Sequence, residues 1–411
     1  MGKGKQGVKV AVMGCGTVGS GVIKMIGDNI DALSRATGEE IKLAYALDLR
    51  EIQVPEGTKW TSRFDDLIED GELDIVVETI GGATLAYKFT KALLERGISV
   101  ATSNKELVVS HGAELMEIAH ANGAHYLYEA AVGGGVPIIR PLRTDLAGNR
   151  IVKICGIVNG STNYLLTRMT NEHANFDTIL KEAQALGYME ANPAADVEGW
   201  DACRKLAILA HSAFGASMSD WTQVPVEGIQ RITDRDIDCA TAMQGTIKLI
   251  AAAECEKDGW TGWVNPALLR ARHPLGRVDD VFNGILVTGD AVDEVMFYGR
   301  GAGSMPTASA VIGDVIELSR GMKHIRQHHG HGKAFVSPDD LDMRFMLRLD
   351  AGDVEALRQQ IIRAMPGAEI VKVKEDLCAM MTPLGRRKAL LGQIAAIEAM
   401  GISVGAPIVV M

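Results

Sequence analysis

Over its first third the chain alternates short apolar runs with segments of helical spacing. The runs are Val8–Met13, Leu43–Leu47, Ile75–Thr79, Ser99–Thr102 and His125–Glu129, each closed by glycine or polar residues. Strands that stay apolar on both faces, with helices between them, predict an α/β domain whose parallel sheet is covered on both sides, over residues 1–135. From residue 136 to 318 the periodicity is mixed. A strand at Ile151–Val158 precedes a helix at Asp196–Ala213. Further strands follow at Ile285–Thr288 and Val295–Tyr298, and Gly299–Gly303 leads into a helix at about Pro306–Ser319. This mixture predicts an α+β domain.

Residues 320–341 break the pattern. Gly321, Gly330, Gly332 and Pro338 stand among polar residues and four histidines, His324, His328, His329 and His331, a composition that predicts an exposed linker. No cysteine or carboxylate pattern accompanies the histidines as further metal ligands. Beyond the linker, Met343–Asp350, Val354–Met365, Glu369–Thr382, Arg386–Met400 and Ile402–Val410 read β-α-β-α-β, a small independent α/β unit over residues 342–411.

Composition narrows the function. A chain of 411 residues with 47% hydrophobic and 23% charged positions has room for two or three cores. Its formal charge of −10 repels phosphate backbones and anionic lipid, so nucleic acid and membranes are excluded as first partners. The chain has 45 glycines, against roughly 29 for average usage, which signals many turns or close approaches of backbone to ligand. Cys15, Cys155, Cys203, Cys239, Cys255 and Cys378 are scattered and form no C-x-x-C pair, as expected of reduced thiols in a cytoplasmic protein. No apolar run reaches the ~18 residues of a membrane span. The apolar start at Val8–Val12 breaks at Gly14, Gly16 and Gly19 with no cleavage site, which excludes a signal peptide, and Gln6 replaces the Ser or Thr of a myristoylation signal.

Four constellations carry chemistry. Gly14-Cys15-Gly16-Thr17-Val18-Gly19 follows a strand and opens a helical stretch at Ser20–Ile30, the context that makes G-x-G-x-x-G a dinucleotide fingerprint. Gly14 permits the turn, Gly16 lets backbone approach a pyrophosphate, and Gly19 lets the helix pack on the sheet, while the helix N-terminus offers free N–H groups. A glycine turn that binds nothing is the competing account. Asp48, closing the second strand, lies further from Gly19 than the usual ~20 residues, and an aspartate there suits the ribose diol of NAD. Arg50 is placed for a 2′-phosphate, so NADP stays open. Thr102-Ser103-Asn104-Lys105 follows a strand, which turns Lys105 toward the ligand edge of the sheet; an exposed lysine at a helix start is the plainer alternative.

Asp201 and Lys205 share a helix face, where an ordinary surface ion pair worth ~0.2–0.5 kcal/mol is the plain reading. Glu190, Asp196, Glu198 and Asp201, however, crowd in front of an apolar helix, and a buried lysine among carboxylates is a way to seat an amine-bearing substrate beside a proton carrier. Finally, Glu129-Ala130-Ala131-Val132-Gly133-Gly134-Gly135-Val136-Pro137 offers carbonyls and a carboxylate to a hard cation, or is a plain hinge.

Taken in order, these strings resemble homoserine dehydrogenases over about residues 8–318. Two further strings strengthen the likeness: Gly-Ile-Val-Asn-Gly-Ser-Thr-Asn-Tyr at 156–164 and Gly-Arg-Gly-Ala-Gly-Ser-Met-Pro-Thr-Ala-Ser-Ala-Val at 299–311. Gly-Tyr-Met-Glu at 187–190 and the 196–205 segment are, with 156–164, highly specific to that family. The resemblance implies a Rossmann-type cofactor domain completed by a returning segment at about 299–319, a middle substrate and dimerisation domain, and a homodimer or homotetramer. It implies NAD(P)-dependent interconversion of L-homoserine and L-aspartate 4-semialdehyde, with Lys205 as proton donor and acceptor. It places Glu190, Asp201, Gly160, Ser161 and Tyr188 at the substrate. Gly14, Gly16, Thr17, Val18, Gly19, Asp48, Ser103, Lys105 and Gly303 fall at the cofactor, Lys105 being shared with the substrate. Glu129, Val132, Gly134 and Val136 match a sodium site, three of them through carbonyl oxygens.

An amine accepts a proton near neutral pH only when burial or a nearby cation lowers its pKa, and Lys105 is the candidate cation. The C-terminal unit resembles an ACT regulatory module. It lacks the proline expected after Asp350, in Ala351-Gly352-Asp353-Val354, so a role in dimer contacts competes with threonine feedback. The rival readings are a dehydrogenase of another small hydroxy amino acid and a nucleotide-sensing regulator without catalysis.

Overall fold

The structure is a computed structural model that describes residues 7–321, 332–350 and 354–411. The four histidines of the expected linker, and Ala351-Gly352-Asp353, lie outside the described residues. Strands are labelled in chain order. β1 (Val8–Met13), β2 (Ile41–Leu47), β3 (Lys59–Thr61), β4 (Ile75–Glu78), β5 (Ser99–Thr102) and β6 (Tyr126–Leu127) form a parallel sheet in the order β3-β2-β1-β4-β5-β6. Helices Thr17–Asp28, Thr84–Leu94 and Lys105–Ala121 link these strands. All four residues of β4 and all but Lys9 of β1 are buried, the signature of a sheet covered on both faces. The strand order reverses between β1 and β4, which opens a crevice at their carboxyl ends.

The second sheet joins the middle of the chain to its end. β7 (Ile151–Ile157), β8 (Gly245–Cys255), β9 (Trp260–Arg270), β10 (Phe282–Gly289) and β11 (Asp293–Arg300) pair antiparallel in the order β11-β10-β7-β8-β9. Helices Gly160–Glu172 and Trp200–Phe214 pack on this sheet. β8 and β9, eleven residues each, are the longest strands described, and the sequence reading did not mark them. Their runs of alanine and leucine are buried on both sides, so no alternation betrayed them.

The C-terminal segment holds β12 (Asp342–Met343), β13 (Phe345–Asp350), β14 (Glu369–Lys374), β15 (Leu377–Met381), β16 (Gly385–Arg386), β17 (Ser403–Val404) and β18 (Ile408–Val410), with helices Val354–Ala364 and Arg387–Ala399. The expected single strand over Glu369–Thr382 is a β14–β15 hairpin turning at Glu375-Asp376, so the order is β-α-β-β-α-β. The unit is also not independent. β18 pairs parallel with β9, and Ile250, Trp263 and Leu269 share a core with Phe345, Leu347 and Met380. Ion pairs add to the join: Arg235 reaches Asp350 at 2.8 Å and Arg348 reaches the buried Asp236 at 3.1 Å. Likewise, residues 333–336, expected to be linker, are tied to the middle domain. Lys333 exchanges backbone bonds with Gly215 and Ser217, and Trp260 with Ala334 and Val336.

Helix Ser304–Ser319 returns to the first domain. It packs along helix Thr17–Asp28, where Val311 and Val315 join Val22 and Ile26 in one core. Gly303 is thereby brought beside the start of helix Thr17–Asp28, after the carboxyl end of β1.

Candidate active site

The glycine turn after β1 has the shape of a phosphate cradle. Gly14 has φ +93°, and a Cβ there would meet Thr79 and Ile80 at 2.8 Å. At Gly19 a Cβ would fall 2.0 Å from the Gly14 carbonyl, so both positions exclude side chains. Gly16 is the opposite case: nothing lies within 4 Å, which leaves open space for a ligand. Helix Thr17–Asp28 starts immediately after it with no side-chain cap, so the first-turn amides of Thr17 and Val18 are available to an anion. Ser304 Oγ donates to the Thr17 carbonyl at 2.6 Å, which places Gly303, with φ +115°, beside the same helix start. The residues present fit a dinucleotide.

Asp48 stands at the end of β2. Its carboxylate accepts the Cys15 N–H at 2.9 Å and both the N–H and Nε of Arg50 at 2.9 and 3.2 Å. Burial works against its charge, but these donors prevail and hold the carboxyl below the usual range. An ionised aspartate with an exposed guanidinium beside it thus stands at the carboxyl end of β2, next to the glycine turn.

Below the crevice lies Glu78, fully buried at the end of β4. Burial pushes its carboxyl up to about 7, against hydrogen bonds from Thr102 Oγ1 at 2.5 Å and the Ile80 N–H at 2.7 Å. Thr102 in turn accepts the Asn104 N–H, and the Asn104 amide holds the Ile80 and Gly82 carbonyls while capping helix Lys105–Ala121. This network fixes the turn that carries Ser103 and Lys105. The sequence reading did not single out Glu78; a lone acid ending an apolar strand was the available signal.

The two lysines meet on one carboxylate. Asp201, 4% exposed in the first turn of helix Trp200–Phe214, takes Lys205 Nζ at 2.7 Å on one oxygen and Lys105 Nζ at 3.0 Å on the other. Burial alone would raise the Asp201 carboxyl, but the ammonium groups of Lys205 and Lys105 hold it far below the ordinary carboxylate range. The charge of Asp201 outweighs burial at Lys105 and raises its ammonium above the ordinary lysine value. Lys205 Nζ also donates to the Val158 carbonyl at 2.9 Å, the last residue before the β7 turn. The cation from the parallel-sheet domain and the amine from the middle domain are therefore clamped together, and this is no surface ion pair.

Around this pair the remaining candidates divide. Gly160 and Ser161 begin helix Gly160–Glu172, where a Cβ on Gly160 would meet the Val281 carbonyl at 2.5 Å. Ser161 Oγ donates to the Tyr188 carbonyl at 2.8 Å, and Tyr188 packs on Tyr164 with ring centres 5.0 Å apart, so the 187–190 loop borders the helix start. Glu190 is exposed on that loop, and its carbonyl accepts from the Gln184 amide at 3.1 Å. Asp196 joins the cluster through Asn159, and burial followed by the Asp201 charge raises its carboxyl. Glu198 turns away to the Trp200 indole at 3.1 Å.

In the Glu129 loop the carboxylate is engaged within the fold. Its carboxylate accepts the N–H groups of Ile138, Ile139 and Arg140 at 2.6, 2.9 and 2.5 Å, and so caps helix Ile139–Arg143. Its own N–H donates to Asp314, whose carboxyl burial and Glu129 push up to about 7. Val132 and Val136 are buried, and Gly134 lies against Gly301, where a Cβ would come within 2.4 Å of the carbonyl. Among the described residues no three His, Cys, Asp or Glu side chains are grouped to hold a metal, and no helix is long and apolar enough to cross a membrane. A cavity of about 680 Å³ opens at the other end of the parallel sheet, by Val8, Asp70 and Ser99, away from this chemistry.

Comparison with known proteins agrees with the geometry. The family model for the homoserine dehydrogenase NAD-binding domain matches residues 14–129 and the homoserine dehydrogenase model matches residues 137–316. The homoserine dehydrogenase of Bacillus subtilis is 42% identical over 356 residues, covering 84% of this chain and 82% of its own; that of Neisseria gonorrhoeae is 34% identical, covering 96% and 95%. Among solved structures, a homoserine dehydrogenase from Thiobacillus denitrificans superposes with a TM-score of 0.90 at 34% identity, covering 98% of each chain. A hyperthermophilic archaeal homoserine dehydrogenase in complex with NADPH gives 0.65 at 28% identity, over 78% of this chain and 99% of its own. With the glycine cradle, the two-lysine clamp and relatives that span nearly its whole length, this chain belongs to the homoserine dehydrogenase family.

Proposed function

We propose that this oxidoreductase interconverts L-homoserine and L-aspartate 4-semialdehyde, with Lys205 as the group that takes and returns the hydroxyl proton. The observation that carries the assignment is the buried Asp201 carboxylate bridging Lys105 and Lys205. Bound NAD(P) supplies the hydride acceptor for the alcohol carbon. The protein has to hold that carbon at the crevice and handle one proton. Asp201 and the Val158 carbonyl fix the Lys205 amine in one orientation, with the Lys105 ammonium held on the other oxygen of the same carboxylate. Glu190, exposed on the 187–190 loop, receives the α-ammonium, while Gly160, Ser161 and Tyr188 border the amino-acid end.

For the cofactor we propose Gly14, Gly16, Thr17, Val18 and Gly19 at the pyrophosphate, Asp48 at the ribose, and Ser103, Lys105 and Gly303 toward the nicotinamide. NAD is the preferred form, because the ionised Asp48 repels a 2′-phosphate. A sodium ion at Glu129, Val132, Gly134 and Val136 would be held by backbone carbonyls, since the Glu129 carboxylate is engaged elsewhere. The C-terminal ACT-like unit serves subunit contacts in a cytoplasmic homodimer or homotetramer. Asp350, where an effector would be read, is already paired with Arg235 and Arg348. A calorimetric titration showing L-threonine binding would overturn that last assignment.

The deciding experiment is the initial rate at 340 nm with L-homoserine and each cofactor in turn. Turnover with homoserine is expected. Cofactor binding without turnover of homoserine would return the chain to the nucleotide-sensor reading, and faster turnover of another hydroxy amino acid would change the substrate.

A further inference from the structure

We infer that Asn159 is a positioning residue, whose side-chain amide holds Asp196 and Asp201 together and thereby orients the Lys205 amine that Asp201 carries. The inference rests on the proton-carrier role assigned to Lys205 above. Asn159 is 5% exposed and caps helix Gly160–Glu172. Its Oδ1 accepts the Thr162 N–H at 2.8 Å and the Thr162 hydroxyl at 2.9 Å. Its Nδ2 donates to Asp196 Oδ1 at 2.7 Å and to Asp201 Oδ2 at 2.8 Å. Two donors and two acceptors are all that an amide has, and all are used. The amide also has only one workable orientation, because a flip would turn its oxygen onto two carboxylates and its NH2 onto an N–H donor.

A helix cap needs only the oxygen, and serine or aspartate caps about as well as asparagine. The NH2 half therefore does something else. It sits between two acids that repel each other, and it shares Asp201 Oδ2 with Lys205. The preceding residue supplies the Val158 carbonyl to the same Lys205 Nζ. Two consecutive residues just after β7 thus grip both members of the Lys205–Asp201 pair, while the next two, Gly160 and Ser161, face the proposed substrate. The turn links the substrate end and the proton carrier in one rigid piece. The charged groups around Asp201 are Lys105 from helix Lys105–Ala121, Asp196 from helix Ala194–Val197, and Lys205 from its own helix, while Glu106 acts on Lys105.

Asn159→Ser and Asn159→Asp, made in the full chain, separate the two roles because each keeps a capping oxygen. The measurements are kcat and KM for homoserine oxidation against pH, cofactor affinity by nucleotide fluorescence, and thermal unfolding. Trace acylation of Lys205 against pH, read by peptide mass spectrometry, reports on the amine without turnover. Both variants are expected to fold and to bind cofactor as the wild type does. Asn159→Ser should lower kcat by at least ~10-fold, on the scale of losses from a slightly misplaced reacting group. Asn159→Asp should also move the rising limb of oxidation, and the acylation midpoint of Lys205, upward by about one pH unit, since an added anion favours the ammonium form. Wild-type kcat, pH limb and acylation in both variants would reduce Asn159 to a helix cap and end the inference, as would failure of both to fold. A wild-type chain that does not oxidise homoserine would sink the assigned reaction instead, while the acylation profiles still judge Asn159.

Discussion

Lys205 illustrates how far a single residue can be judged from its spacing. An Asp and a Lys four apart on a helix are ordinarily worth a few tenths of a kcal/mol at the surface. Here the carboxylate is buried and carries a second lysine from another domain, so its removal leaves charges without partners. Lys205→Ala is expected to lower homoserine turnover by at least ~10³-fold while cofactor fluorescence titrates normally; near-wild-type turnover would remove Lys205 from the mechanism. Asp48→Asn should shift preference toward NADP by ~10-fold in the ratio of kcat/KM values, because it deletes the repelling charge and frees Arg50 from it. An unchanged ratio would place the discrimination elsewhere. Glu78 gives a stability prediction. Its carboxyl is raised to about 7 in the fold from the ~4.3 of an unfolded chain, so the folded state binds the extra proton between those values. Stability therefore falls as pH rises from about 4 to 7 and levels off above. Glu78→Gln, which keeps the shape and an acceptor for Ile80, should lose that slope and be more stable than wild type at pH 8, by on the order of 1–3 kcal/mol. Denaturant melts at pH 4, 6 and 8 provide the comparison.

At the scale of elements, periodicity and punctuation placed most of the first domain. β1 and β5 match the apolar runs residue for residue, and β2 and β4 differ only at an end. Helix starts are set by local chemistry, as at Asn104 and Asn159, whose side chains accept N–H bonds three residues on. The expected helix Asp196–Ala213 is two helices, because Gly199 at φ +88° breaks the run and starts a new one at Trp200. That break is what turns Asp201 inward in a first helical turn. The hairpin at Glu375-Asp376 was hidden because its strands are short and differ in burial: β15 is buried throughout and β14 largely exposed. Gly19→Ala tests the cradle at this scale. A Cβ 2.0 Å from the Gly14 carbonyl forces the helix start away from β1, so cofactor binding should be lost along with several degrees of Tm. Retained binding would mean that the helix start does not set the phosphate position.

For the whole molecule, the decisive feature is the sheet shared by the middle and C-terminal segments. Because β18 lies on β9 and both segments fill one core, residues 342–411 are not expected to melt alone. Calorimetry should show no separate transition for that segment, and a chain ending at residue 321 should be insoluble, having exposed the β9 edge and its apolar face. A soluble, cooperatively folding truncation would contradict this. The sequence by itself determined the parallel sheet and the glycine turn, because burial on both faces and left-handed turns restrict residue type locally. It did not determine that Lys105 and Lys205 share one carboxylate, that Glu129 caps a helix, or that the last strand completes a distant sheet. Those are pairings between segments far apart in the chain. A residue's type shows what it can bond to, and only the packing of the two sheets decides which partner comes within reach.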